Sequence, residues 1–202
     1  MTTLVCLGIY LDFHPGTNNR ILKFAERCAQ AGADRSEGRR PKYVVQRPHL
    51  TLFHAMVREP DLERIRKEVN FLHTFCIGEP VSFTDVAVFG DKFLFLDAHR
   101  SPLLQLVHAK AVLTLLPYLD RETVRPAQKE GLILSPAEQS NVETFGHPLV
   151  GPEYRPHVTL AFDADPRVIA RCVLPPDDLR SQMIAAVRLG IMGEYGSLHE
   201  AL

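Results

Sequence analysis

No stretch of this chain holds the roughly 20 consecutive apolar residues that a membrane-crossing helix needs, which excludes a helical membrane protein. The first residues, "MTTLVCLGIYLDF", lack a basic segment ahead of an apolar one and a small-residue cleavage site. They alternate like a strand, so no secretion signal is expected. The four cysteines, Cys6, Cys28, Cys76 and Cys172, never fall at Cys-x-x-Cys spacing. Scattered thiols of this kind are expected as reduced, buried small hydrophobes in a cytoplasmic protein. Basic excess is missing too. A net charge of −1 argues against a surface that binds long double-stranded nucleic acid through many phosphates. A small phosphate ligand, or a nucleic-acid end held by a few local charges, remains open.

What is present is ordinary in bulk. The 202 residues are 46% hydrophobic and 23% charged, which suits one domain, 1–202, or two small lobes sharing a core. Residues Thr3–Phe13 read as a strand, "HPGTNN" as a turn and helix start, and Arg20–Ala31 as a helix closed by Gly32. "ADRSEGRRPK", with Arg35, Arg39, Arg40 and Lys42, reads as a solvated basic loop, or else as a guide for a nucleic-acid end. A strand at His49–His54 precedes a helix with Leu62, Ile65, Val69 and Leu72 at helical spacing. Two β-like runs, "VSFTDVAVF" and "KFLFLDA", flank Gly90-Asp91, good chemistry for a tight hairpin. "SPLLQLVHAKAVLTLLPYL" opens with a Ser cap and a Pro at the first helical position. Residues Asp120–Tyr154 are irregular and rich in Pro and Gly. A short helix near Pro166–Cys172 and a last strand at Met183–Met192 complete the order. Alternating strands and helices with hairpins predict an α+β fold with mostly antiparallel sheets, bilobal, with a crossing near residues 98–118.

One feature stands out from this pattern. "RPHLTL" at Arg47–Leu52 is written again as "RPHVTL" at Arg155–Leu160, more than half the chain away. On a strand, residues two apart share a face. His49 therefore accompanies Thr51, and His157 accompanies Thr159, while the leucines turn to the core. Pro48 and Pro156 suit a strand entry, where no ladder donor is needed. Two such strands facing each other would present two imidazoles and two hydroxyls to one space. Histidine titrates near neutrality, so one ring can act as general base and the other as general acid. That suits displacement at phosphorus, with the hydroxyls donating to phosphate oxygens and no metal or other cofactor required. Arg47 and Arg155 add guanidinium groups suited to phosphate. The same arginines at a solvated strand edge are the alternative.

Paired His-x-Thr-x motifs about a hundred residues apart resemble the 2H phosphoesterase superfamily, in particular its 2′-5′ RNA ligase and RNA 2′,3′-cyclic phosphodiesterase branch. The resemblance rests on "HLTL" at His49–Leu52 and "HVTL" at His157–Leu160, with the hairpin and long helix between them. It implies a pseudo-symmetric bilobal fold whose central cleft carries both motifs. It implies catalysis by His49 and His157, phosphate binding by Thr51 and Thr159, and a nucleotide or RNA-end substrate. A monomer is expected. The irregular 120–154 segment departs from the pattern and bears on the substrate. Two other readings use the same residues: a non-catalytic module that binds a phosphonucleotide or RNA end, and a phosphodiesterase of signalling cyclic oligonucleotides. Tyr10 and Phe53 are read as core or rim. The remaining histidines show no metal-ligand spacing, and His54 is expected on the strand face opposite His49.

Overall fold

The computed structural model describes residues 3–35, 41–120, 123, 132–162 and 174–202. Arg39, Arg40 and the short helix expected near Pro166–Cys172 lie outside them. The first strand, β1 (Leu4–Phe13), runs into α1 (Pro15–Arg35), which starts at once after His14 and continues past the Gly32 expected to close it. A two-residue strand, β2 (Tyr43–Val44), precedes β3 (Leu50–Arg58), α2 (Leu62–Cys76) and the hairpin of β4 (Pro80–Phe89) and β5 (Phe93–Ala98). Then come α3 (Pro102–Leu115), α4 (Pro136–Phe145), β6 (His157–Phe162), β7 (Ser181–Met192) and β8 (Leu198–Ala201).

The local chemistry explains several of these boundaries. Gly90 and Asp91 both take positive φ, 57° and 58°, as the central residues of a turn closed by the Lys92 amide on the Phe89 carbonyl at 3.2 Å, which makes a three-residue connection between Phe89 and Phe93. Ser101 accepts the Leu104 amide at the start of α3, with Pro102 in the first turn. Inside the segment expected to be irregular, α4 is set by a capping box: Ser135 accepts from the Glu138 amide, and Glu138 reaches back to the Ser135 amide. Gly146, in the left-handed conformation, ends it.

Every strand pairing among the described residues is antiparallel. The strand order is β2-β6-β5-β4-β7-β1-β3, with β8 added on β7. β7 holds this sheet together. It pairs with β1 over Leu7–Phe13, with β4 near its start and with β8 near its end. One face is covered by α1 through Ile21, Phe24 and Cys28, and α2 and α3 pack with Ile65, Val69, Leu104 and Ala111 into the same core. Each fully buried Leu, Ile or Phe there contributes roughly 1.5–3 kcal/mol. Cys6, Cys28 and Cys76 are buried thiols, none of them in a disulfide. Among the described residues no helix is long and apolar enough to cross a membrane.

Candidate active site

The two hexapeptides lead into β3 and β6, which have four strands between them in the sheet order, yet they are built alike. His49 lies immediately before β3 and His157 opens β6. The Nδ1–H of His49 donates to the carbonyl of Arg47 at 2.7 Å, and that of His157 to the carbonyl of Arg155, also at 2.7 Å. A carbonyl can only accept, so Nδ1 carries the proton and Nε2 is the basic nitrogen of each neutral ring. Both rings rest on an aromatic residue of the neighbouring strand. Tyr10 of β1 meets His49 edge-on at 5.3 Å, and Phe95 of β5 stacks on His157 at 3.6 Å.

The strand registers repeat as well. Tyr10 is opposite Thr51 and Ile9 opposite Phe53, so Leu52 is an extra residue in β3. Phe95 is opposite Thr159 and Leu94 opposite Ala161, so Leu160 is extra in β6. Each motif thus carries a β-bulge directly after its threonine. The bulge reverses the alternation beyond it, which corrects one expectation from the sequence. His54 turns to the same cleft as Thr51, and Phe53 goes into the core at 1% exposure. Tyr10 is core too.

A partly open cleft gathers Thr51, Thr159, His157 and Arg155 on its wall. Phe89, Phe93, Leu132, Leu149 and Tyr195 make the rest largely apolar. His49, 5% exposed, lies behind this lining. It is still near enough that charge on it depresses His157. Arg47 is placed outside the lining, exposed, with Nη1 3.4 Å from the His199 carbonyl. Arg155 is held by Asp97: Nε is 3.1 Å from both carboxylate oxygens and Nη2 is 2.6 Å from Oδ2. Its counterpart in the first half is not Arg47. There, Asp12 takes Arg188 of β7, with Nε to Oδ2 at 2.9 Å.

Electrostatics separates the two histidines. Burial pushes His157 down to about 3, against the hydrogen bond to Arg155, and the Arg155 cation and His49 push it further. Burial also lowers His49, but the carbonyls of Arg47 and Gly196 and the Asp12 carboxylate pull it back. Burial raises Asp97, and Arg155 opposes this.

Part of the remaining lining, Leu132, His147, Leu149 and Tyr154, comes from the 120–154 segment expected to bear on the substrate. Cys6 Sγ lies 3.4 Å from His54 Nδ1, and the His54 ring meets His147 edge-on at 4.2 Å. His147 accepts the Leu149 amide through Nδ1. The turn between β7 and β8 brings Tyr195, with a positive φ of 59°, onto Phe162 at 4.2 Å. No group of three or more potential ligands suited to a metal occurs among the described residues.

Sheet order and paired motifs define the class to which the fold belongs, and comparison with known proteins gives the family. The profile of the 2′-5′ RNA ligase superfamily matches residues 21–175, and the chain belongs to that superfamily, the 2H phosphoesterases. Among solved structures, a phosphoesterase is similar over 99% of this chain and 96% of its own, at 15% identity and a TM-score of 0.61. Escherichia coli LigT in apo form is similar over 98% and 95%, at 14% identity and a TM-score of 0.61. Kluyveromyces marxianus Usb1 is similar over 94% of each chain, at 13% identity and a TM-score of 0.53. None of the curated proteins matches at the level of sequence.

Proposed function

We propose that this protein is a metal-independent phosphoesterase that hydrolyses a 2′,3′-cyclic phosphate, or a related phosphodiester, of a nucleotide or RNA end. The observation that carries the reading is the duplicated construction: two imidazoles with the same Nδ1 anchor, each followed by a threonine and the same bulge, with Thr51, His157 and Thr159 on one cleft wall and His49 buried behind it. Membership of a phosphoesterase superfamily supports an enzyme of this kind. Related structures hold small nucleotides: LigT was solved with 3′-AMP and Usb1 with uridine monophosphate.

In this mechanism the phosphate sits between the motifs, and the hydroxyls of Thr51 and Thr159 donate to its non-bridging oxygens. One Nε2 takes a proton from the attacking water as the new P–O bond forms. The other ring gives its proton to the departing ribose oxygen as the old P–O bond breaks. The surroundings favour His49 as the acid, because two carbonyls and Asp12 support its cation. They favour His157 as the base, because Arg155 and burial keep it neutral. Arg155, on the cleft wall, adds positive charge near the phosphate, with Asp97 fixing its position. Arg47, outside the wall, would reach only an extended substrate. Run backwards, the same exchange joins a cyclic end to a 5′-hydroxyl. Imidazoles and hydroxyls supply the proton transfer and charge stabilisation by themselves.

The test is a product-resolved assay, with and without EDTA, on 2′,3′-cyclic nucleotides, 2′-5′ dinucleotides and cyclic dinucleotides. Opening of the 2′,3′-cyclic substrates, unaffected by EDTA, is the expected result. Binding of these ligands with no turnover, even in single-turnover experiments, would show a phosphonucleotide-binding module instead.

A further inference from the structure

His108 lies outside the cleft lining, yet it touches the segments that carry both motifs. It sits on the buried stripe of α3 and is 2% exposed. On one side its Nδ1–H donates to the carbonyl of Leu52 at 2.7 Å. On the other its Nε2 accepts the Gly151 amide at 3.0 Å. Gly151 opens the turn that leads through Tyr154 to Arg155 and His157, and the Tyr154 ring stacks on His108 at 3.8 Å, within 6° of parallel. Arg100 grips the same turn from its carbonyl side, at 2.8 Å from the Gly151 oxygen and 2.6 Å from that of Pro152.

Both hydrogen bonds fix the state of the ring. A carbonyl only accepts and an amide only donates, so His108 is neutral with its proton on Nδ1. Burial, which lowers its pKa, keeps it so.

The contact on Leu52 has a counterpart that explains it. Leu52 and Leu160 are the two bulged residues, and a bulge takes its extra residue out of the ladder. The Leu160 carbonyl finds a donor in the Val45 amide at 2.9 Å, from the chain that forms β2 beside β6. Among the described residues β3 is the last strand of the sheet, with no strand beyond it. His108 supplies there what a neighbouring strand supplies to the other motif.

We infer that His108 is a positioning residue that sets the spacing of the two His-x-Thr motifs across the cleft, by clamping the first bulge to the turn that delivers the second histidine. This rests on the catalytic reading given above. A displacement of about 1 Å at a reacting group can cost on the order of a hundredfold in rate, so one ring tied to both motifs has leverage over turnover without touching substrate.

The experiment compares His108→Leu, which loses both contacts, with His108→Asn, which keeps a donor near Nδ1, and His108→Gln, which offers an acceptor toward Gly151. Val69→Ala, at another buried site, is the stability control. With each variant held well below its Tm, His108→Leu should lose about tenfold to a hundredfold in kcat with a smaller change in KM. The Asn and Gln variants should recover part of the loss, and Val69→Ala should keep its kcat despite a lowered Tm. Wild-type kcat in a folded His108→Leu, or an equal loss in Val69→Ala, would overturn the inference while leaving the proposed activity intact.

A second readout does not need turnover. The imidazole 15N signals of His49 and His157 are followed as inorganic phosphate is added. Wild type should show both rings responding together, and His108→Leu should need about tenfold more phosphate or show only one ring responding. An unchanged response in His108→Leu overturns the clamp. A wild type that neither turns over nor responds to phosphate overturns the proposed function and this inference with it.

Discussion

The first and second motifs share an anchor, a bulge and an aromatic support, and differ in what surrounds them. Around His157 the counterion of the aspartate comes from inside the motif: Arg155 folds onto Asp97. Around His49 the motif's own Arg47 points away, and Asp12 is met instead by Arg188 of β7. The strand of the second motif, β6, also has a strand on each side, whereas β3 lies at the sheet edge and leans on a helix. In the proposed mechanism the duplication supplies two proton-transfer groups, and their settings differ: burial lowers both rings, but the carbonyls of Arg47 and Gly196 and the Asp12 carboxylate oppose it at His49, while the Arg155 cation adds to it at His157. A symmetric pair would have two equivalent rings competing for one role.

The largest expected effect comes from removing either ring. His49→Ala and His157→Ala should each lower kcat by about 10²–10⁴-fold, measured on a 2′,3′-cyclic nucleotide. If the division of labour holds, the two losses respond differently to pH. Both rings are depressed in the free protein, so kcat/KM should peak on the acid side of the usual histidine range. Bound phosphate favours imidazolium, so the kcat profile should lie at higher pH. The same depression bears on stability. An unfolded His157 binds a proton near 6.5 and the folded one near 3, so its contribution is present above about 6.5 and is lost as pH falls toward 3. Unfolding by urea at a series of pH values would show stability rising with pH through that window, less steeply in His157→Ala.

Next come the hydroxyls. Thr51→Val and Thr159→Val should each cost about ten- to a hundredfold in kcat/KM, and the Ser variants much less. A large difference between the two positions would show that the phosphate leans on one motif. The arginines should separate further. Arg155→Met strands the half-buried Asp97 and should lower stability by about 1–2 kcal/mol. Arg47→Met, at an exposed site, should stay within about 0.5 kcal/mol in the same urea titration. Comparable losses for both would mean that Asp97 finds another partner.

The smallest effect is expected at Tyr154. Its ring stacks on His108, but its buried hydroxyl has no hydrogen-bond partner. Tyr154→Phe removes a desolvated group and keeps the stack, so Tm should be unchanged or slightly raised. A clear fall in Tm would reveal a partner for that oxygen.

Much of this arrangement was legible in the chain. Period-two and helical patterns located β1, α2, α3 and the β4–β5 hairpin, and the repeated hexapeptide contains Thr51, Arg155, His157 and Thr159 of the cleft wall, whereas His49 and Arg47 lie outside that wall. The helix α4 was missed although "SPAE" spells its capping box, because the surrounding prolines and glycines outweighed four residues. His54 was assigned to the wrong face because period two fails at a bulge, and a bulge follows from pairing with a strand distant in sequence. His108 looked like any histidine on an apolar helix stripe. Its partners are backbone groups of Leu52 and Gly151, and no side-chain pattern announces them.

β7 carries a consequence for how the protein comes into being. It follows both motifs in sequence, yet it is the strand that joins β1, neighbour of the first motif, to β4, whose hairpin partner supports the second. As the polypeptide leaves the ribosome, neither half can complete its sheet until residues beyond Ser181 have emerged. The groove therefore needs β7 in place to be complete, and a product truncated before Ser181 would leave the β7-facing sides of β1 and β4 unpaired and open to aggregation.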